Sequence, residues 1–247
     1  MKKPFVVIVM FFLFMVICPR AHAFYISDNY IGSNDHGYGD VIGDPIFDIS
    51  GMDVTYTNGF MDVTIYTPFQ PLGSGSPTYG ETYGDLFIST NGWHPDGLAA
   101  SGYLTDNYSN GEHWEFVFDT SAGLLYSLPD YDSNTIVDYI TLAKSGSGLI
   151  VRDGQEVLYK AGGTDVTNGS TVDLSNAGTS ISYSIALASL GDIDGGVIGL
   201  KWGATCANDD IEGGVPHDSV PEPATMLLLG TSLVGLIGFG RKKFRKS

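Results

Sequence analysis

The chain has 247 residues, with 12 Lys and Arg against 28 Asp and Glu, and a net charge of −16. Both ends are basic and free of acids, so residues 24–223 keep only Lys144, Arg152, Lys160 and Lys201 against all 28 acids, a net −24. Such a body repels nucleic acid and anionic lipid and attracts divalent cations.

The first segment places Lys2 and Lys3 before an apolar run from Phe5 to Ile17, then Pro19, Arg20 and Ala21-His22-Ala23. A basic start, a short apolar stretch and a small-x-small end make a secretory signal peptide at residues 1–23. Cleavage is expected after Ala23, with Phe24 as the mature N-terminus. Cys18 raises a lipoprotein alternative, but Ile17 stands where a lipobox has a small residue. Removal of Cys18 with the leader leaves Cys206 as the mature thiol, so an intrachain disulfide is excluded and a buried, inert Cys is expected.

From Phe24 onward, helical periodicity is nearly absent and period-2 alternation dominates. Met52–Tyr56 and Met61–Tyr66 alternate on either side of Asn58-Gly59, a strong hairpin signal because both turn residues need positive φ. Leu149–Arg152 and Glu156–Tyr159 around Asp153-Gly154 predict a second hairpin. Glu112–Asp119 predicts a strand with Trp114, Phe116 and Phe118 on one face and His113, Glu115 and Val117 on the other. Ile181, Tyr183, Ile185 and Leu187 mark another, and Val197–Thr205, with Trp202, the last. Pro71–Tyr83 and Asn91–Asn110 read as long loops. Nine or ten short strands predict an all-β, single antiparallel β-sandwich over residues 24–206. From Ala207 the composition turns to Asn, Asp, Gly, Pro and His, which predicts a flexible stalk at 207–219.

The C-terminus reads Val220-Pro221-Glu222-Pro223, then an apolar segment at 225–240, then a basic tail at 241–247. Sixteen helical residues span roughly 24 Å against a hydrocarbon core of about 30 Å, a marginal span that bilayer thinning and snorkelling of the flanking cations would help. The five cations that follow belong on the cytoplasmic side, which leaves the body outside, in agreement with the leader. These residues resemble the PEP-CTERM sorting signal, recognised by exosortase in Gram-negative bacteria. The resemblance covers residues 220–247. It implies a transmembrane helix at 225–240, an inner-membrane-anchored precursor with its body in the periplasm, processing near Pro-Glu-Pro, and delivery to the cell surface or extracellular matrix.

Two further resemblances concern the body. Trp202-Gly203-Ala204-Thr205-Cys206-Ala207-Asn208-Asp209 with Ile211–Pro216 is similar to the end of a β-sandwich domain frequent among PEP-CTERM proteins. Gly39-Asp40 with Phe47-Asp48-Ile49 resembles the DOMON-like sandwiches, so the fold expected is of jelly-roll or DOMON-like type.

Asp28, Asn34, Asp35, Asp40, Asp44 and Asp48 lie close together among glycines, a supply of oxygen ligands suited to Ca²⁺. Asn34, Asp35, Asp40 and Asp44 are the candidate ligands; Asx-turns are the competing reading. Weaker clusters are Asp192-Ile193-Asp194 and Asn208-Asp209-Asp210 with Glu212. The histidines show no zinc spacing and no nucleophile elbow occurs. Glu112 and Glu115, at opposite parity on a strand, point apart and do not make a glycosidase pair. Trp93, Tyr103 and Tyr108, with Asp96 and Asp106, suit sugar stacking. The expectation is a non-enzymatic surface or matrix protein, with exopolysaccharide as a candidate partner. The alternatives are a carbohydrate-binding module and a calcium-dependent hydrolase.

Overall fold

Asn58 (φ 53°) and Gly59 (φ 83°) form the tight turn their sequence predicts. They join β2 (Gly51–Thr57) to β3 (Phe60–Tyr66) in register from Thr57↔Phe60 to Gly51↔Tyr66. Alternation then decides the faces: Met52, Val54, Met61, Val63 and Ile65 are buried, with Asp53, Thr55, Asp62 and Thr64 between them less so. The computed structural model describes residues 22–33, 39–71, 81–144 and 151–217. The signal peptide up to Ala21 and the segment 218–247 lie outside them, as do Asn34 and Asp35.

The remaining strands are β1 (His22–Ser27), β4 (Leu86–Ser89), β5 (Phe116–Asp119), β6 (Leu124–Ser127), β7 (Ile140–Leu142) and β8 (Glu156–Tyr159). They continue with β9 (Thr164–Asp165), β10 (Thr171–Asp173), β11 (Ser180–Ala186), β12 (Val197–Gly203) and β13 (Asp210–Pro216), and one helical turn, α1, covers Ile136–Tyr139. One sheet has the order β1-β2-β3-β11-β10, a second β13-β12-β4-β5-β6-β9, and β7 pairs with β8 alone. Every one of these ladders is antiparallel.

The two large sheets share one apolar core. Val54, Val63, Ile181 and Tyr183 from the first meet Ile88, Phe118, Leu200, Trp202 and Ile211 from the second. Each such side chain contributes about 1.5–3 kcal/mol by leaving water. The protein is thus an antiparallel β-sandwich, as the alternation predicts. A smaller core lies on the outer face of the second sheet, where Phe87, Trp114 and Val117 pack with Ile136, Ile140 and Leu142.

Three expectations need correction. The flexible stalk proposed for 207–219 does not hold over residues 210–216, which form β13 and pair with β12 from Gly203↔Asp210 to Val197↔Pro216. Asp210, Glu212 and Gly213 are buried there, Glu212 against Lys201, a partner that composition does not reveal. Second, β8 pairs with β7 rather than with Val151 and Arg152, while Leu149 and Ile150 lie outside the described residues. The Asp153-Gly154 turn forms, but Arg152 is drawn inside the fold. Third, Trp114 packs with Val117 in the outer core, whereas Phe116 and Phe118 face the inner one. The ladder begins only at Phe116, and the Trp114 N–H is given to the Tyr131 hydroxyl at 2.7 Å, so strand parity does not extend back to residue 114.

Candidate functional site: two buried acidic centres

Strands β12 and β13 place charge on their outer side by simple alternation. Trp202↔Ile211 and Leu200↔Gly213 are register pairs, and Leu200, Trp202 and Ile211 point into the inner core. The intervening pair Lys201↔Glu212 must therefore face the other way. There it lies under other parts of the chain rather than in water: Lys201 is 1% exposed and Glu212 3%.

The Lys201 ammonium lies 2.9 Å from Glu156 Oε2 and 3.3 Å from Glu212 Oε2, donates to Gln155 Oε1, and stands 5.7 Å above the Tyr30 ring. Burial alone would lower its pKa, but the Glu156 and Glu212 charges outweigh that and the net shift is upward. Indole N–H groups hold the carboxylates: Trp114 donates to Glu156 at 3.2 Å and Trp93 to Glu212 at 2.9 Å. Asp106 accepts from the Tyr30 hydroxyl at 2.5 Å. Glu112 completes the group. One oxygen each of Asp106, Glu112 and Glu212 lie within 4.8 Å of one another. Neither carboxyl oxygen of Glu112 has a hydrogen-bond partner. Burial, reinforced by the Glu212 charge, pushes its pKa up to about 11, and burial raises Asp106 to about 6. A proton shared between Glu112 and Glu212, or a cation, is required to offset the repulsion.

A second centre gathers around Arg152, which is fully buried. Its guanidinium donates to the carbonyls of Asn208 at 2.9 Å, Gly39 at 3.3 Å and Asp40, tying the early segment to the end of the body. Asp209 lies 3.9 Å from it and accepts from the Ile49 N–H at 2.6 Å. Oxygens of Asp28, Asp48 and Asp209 lie within 4.8 Å of one another. Burial first, then the charges of Asp40 and Asp48, raise Asp28 to about 7; burial and the Asp28 charge raise Asp209 to about 9. Asp210, with no partner on either oxygen, packs over Gly203, where an added Cβ would sit 2.0 Å from its Oδ1.

The residues expected to hold calcium divide. Asn34 and Asp35 lie outside the described residues. The Asp40 carboxylate turns to the Val41 N–H at 3.0 Å, and Asp44 caps the 3₁₀ turn Pro45–Phe47 through the Ile46 N–H at 3.0 Å. Asp28 and Asp48, from the same stretch, instead meet Asp209, while Asp192 and Asp194 are exposed. The sugar-stacking group folds inward in part. Trp93 is half-buried on Glu212, and Tyr103 stands between Trp93 (5.3 Å) and Tyr30 (6.0 Å). Tyr108 packs on the outer core, Asp106 is buried, and Asp96 remains exposed.

Glu112 and Glu115 occupy separate networks. Glu115 accepts from Asn91 at 2.6 Å and Thr90 at 2.8 Å and meets His113 at 3.1 Å. Burial opposes its ionisation, but these bonds prevail and hold its pKa below the ordinary value. Cys206 is buried, and that burial pushes its thiol up to about 12. It is a core residue with little thiolate at neutral pH.

Residues 219–243 match the PEP-CTERM protein-sorting motif. The chain carries an exosortase sorting signal. Val220-Pro221-Glu222-Pro223 fall within that match, and the PEP-CTERM motif marks the chain as an exported protein whose membrane-anchored precursor is an exosortase substrate. No curated protein and no solved structure matches the chain. No helix among the described residues is long and apolar enough to cross a membrane; the sorting motif and the segment 225–240 lie outside them. At the other end, Ala21 also lies outside, while Ala23 and Phe24 fall in β1.

Sequence reasoning missed the residues that organise the two centres: Lys201, Arg152, Glu156, Gln155 and Tyr30. One signal was available. The body has only four cations, and two of them interrupt apolar runs, Lys201 between Leu200 and Trp202 and Arg152 after Val151. A lone cation inside an apolar strand pattern indicates a buried charge that needs acids around it.

Proposed function

We propose that the β-sandwich is a non-catalytic structural or interaction module, released by exosortase processing to the cell surface or extracellular matrix. The observation that supports this reading is the placement of the acids. Glu112 is enclosed against Glu212 and Asp106, and Glu115 is held by His113, Thr90 and Asn91. Two carboxylates engaged in separate networks do not converge on one scissile bond. They brace the loops that cover the second sheet. Exopolysaccharide is the proposed matrix partner, since an exported acidic module without basic patches suits neutral glycan better than nucleic acid.

Intact-mass measurement of the extracellular protein tests the processing. The expected species starts at Phe24 and lacks the basic tail after Gly240; a surface species still ending in Ser247 would overturn it. The same preparation is screened against glycan, ester and peptide substrates. Turnover lost in Glu115→Gln would overturn the non-catalytic reading, whereas glycan binding without turnover would identify the partner class.

A further inference from the structure

We infer that Asp106, Glu112 and Glu212 form a closed Ca²⁺ site that locks the long loop carrying Asp106 and Glu112 onto the outer face of the second sheet. The site differs from the Gly-rich segment around Asp40 and Asp44, where the sequence suggested calcium. Three observations carry it. Oxygens of the three carboxylates lie within 4.8 Å of one another, and calcium at its usual bond lengths reaches oxygens up to about 5 Å apart. Glu112 is only 6% exposed, its carboxyl group belongs to this cluster, and neither oxygen has a hydrogen-bond partner. Buried polar atoms are almost always satisfied, so two orphaned oxygens on one side chain indicate a missing positive partner.

The charge balance agrees. Asp106, Glu112, Glu156 and Glu212 supply four negative charges around one ammonium, Lys201, leaving a net of three when all are ionised. A divalent ion reduces that to one. Lys201 does not fill the role itself, because its bonds go to Gln155, Glu156 and Glu212. The donors are all oxygens, without thiol or imidazole, which suits calcium and disfavours zinc.

The remaining partners fix the ligands in place. Tyr30 holds one Asp106 oxygen, leaving Oδ1 without a partner, and Trp93 holds Oε1 of Glu212. Asp106 and Glu112 precede β5, and Glu212 lies on β13, a hundred or more residues away in sequence. An ion shared by the three thus clamps a loop to a sheet.

The test uses the full chain in detergent, stripped with chelator and then titrated with calcium chloride. A rise in Tm of roughly 5–10 °C is expected at a hundredfold excess over Kd. Terbium should give indole-sensitised emission, since Trp93 contacts a ligand. Glu112→Gln should abolish both responses, and Asp48→Asn, in the other acidic centre, should leave both intact. If Glu112→Gln does not fold, Asp106→Asn replaces it and still offers Tyr30 an acceptor. Absence of a calcium shift in the unmodified chain would overturn the site and leave a shared proton between Glu112 and Glu212. A response that survives the Glu112 or Asp106 change, or is lost in Asp48→Asn, would also overturn it.

Discussion

Replacing Lys201 by Met removes the ammonium while keeping a side chain of similar length and apolar volume. In the native protein that ammonium makes contacts of 2.9 Å and 3.3 Å with two carboxylates and donates to Gln155 Oε1. Removing one partner of a buried ion pair costs about 3–5 kcal/mol, because the other charge stays buried without compensation. For a body of about 200 residues, each kcal/mol lowers Tm by about 2–4 °C, so a loss of about 6–20 °C is expected. Urea denaturation and calorimetry in chelator, at pH 7.5, provide the assay. The carboxylates orphaned by the change take up protons, so the deficit should be full at neutral pH and shrink as pH falls toward about 4. Adding Glu156→Gln should recover part of it, with a coupling of about 0.5–3 kcal/mol in the double-mutant cycle. A loss below about 1 kcal/mol, or a deficit that does not change with pH, would refute the assignment of Lys201 as the counter-charge.

Two further outcomes follow from the same geometry. Gly203→Ala should lower stability by about 1–3 kcal/mol on denaturant titration, because its Cβ would meet Asp210 Oδ1 at 2.0 Å and the Asp209 carbonyl at 3.0 Å; an unchanged midpoint would contradict this packing. In chelator, wild-type stability should fall as pH rises from about 5 to 9. Asp28 (about 7), Asp106 (about 6), Asp209 (about 9), Asp210 (about 6) and Glu112 (about 11) are all raised above their unfolded values near 4. The folded state therefore binds more protons than the unfolded state across that window, and rising pH favours unfolding. Melts that are flat or rise over the window would count against buried, unneutralised carboxylates.

What could be read in advance depended on how local its cause was. Asn58-Gly59 specifies its own turn, and the flanking alternation specifies which side chains go inside, so the β2–β3 hairpin was legible in a dozen residues. Ser180–Ala186 was legible for the same reason. Residues 207–216 were not. Asn, Asp and Gly there imitate a linker, and only the register with β12 reveals that Glu212 faces Lys201 and that Gly203 makes room for Asp210. Asp28 and Asp48 are near neighbours in the sequence, yet the third member of their group, Asp209, is over 150 residues away and arrives only through the fold. The same distance hid the Asp106–Glu112–Glu212 cluster, whose members were read apart, in an aromatic loop, at the start of a strand and in a supposed stalk.

The position of β13 has a consequence for how the molecule is made. An exported chain emerges N-terminus first, and β13 is the last strand of the body, ending at Pro216 only a few residues before the sorting motif. It supplies Glu212 to one buried centre and follows directly on Asp209 of the other, while its partners Asp28, Ile49, Asp106 and Glu112 emerge much earlier. Those early acids must wait, hydrated and unpaired, until the final strand crosses. Neither buried centre can therefore be completed before the last strand of the body is available to pair with β12.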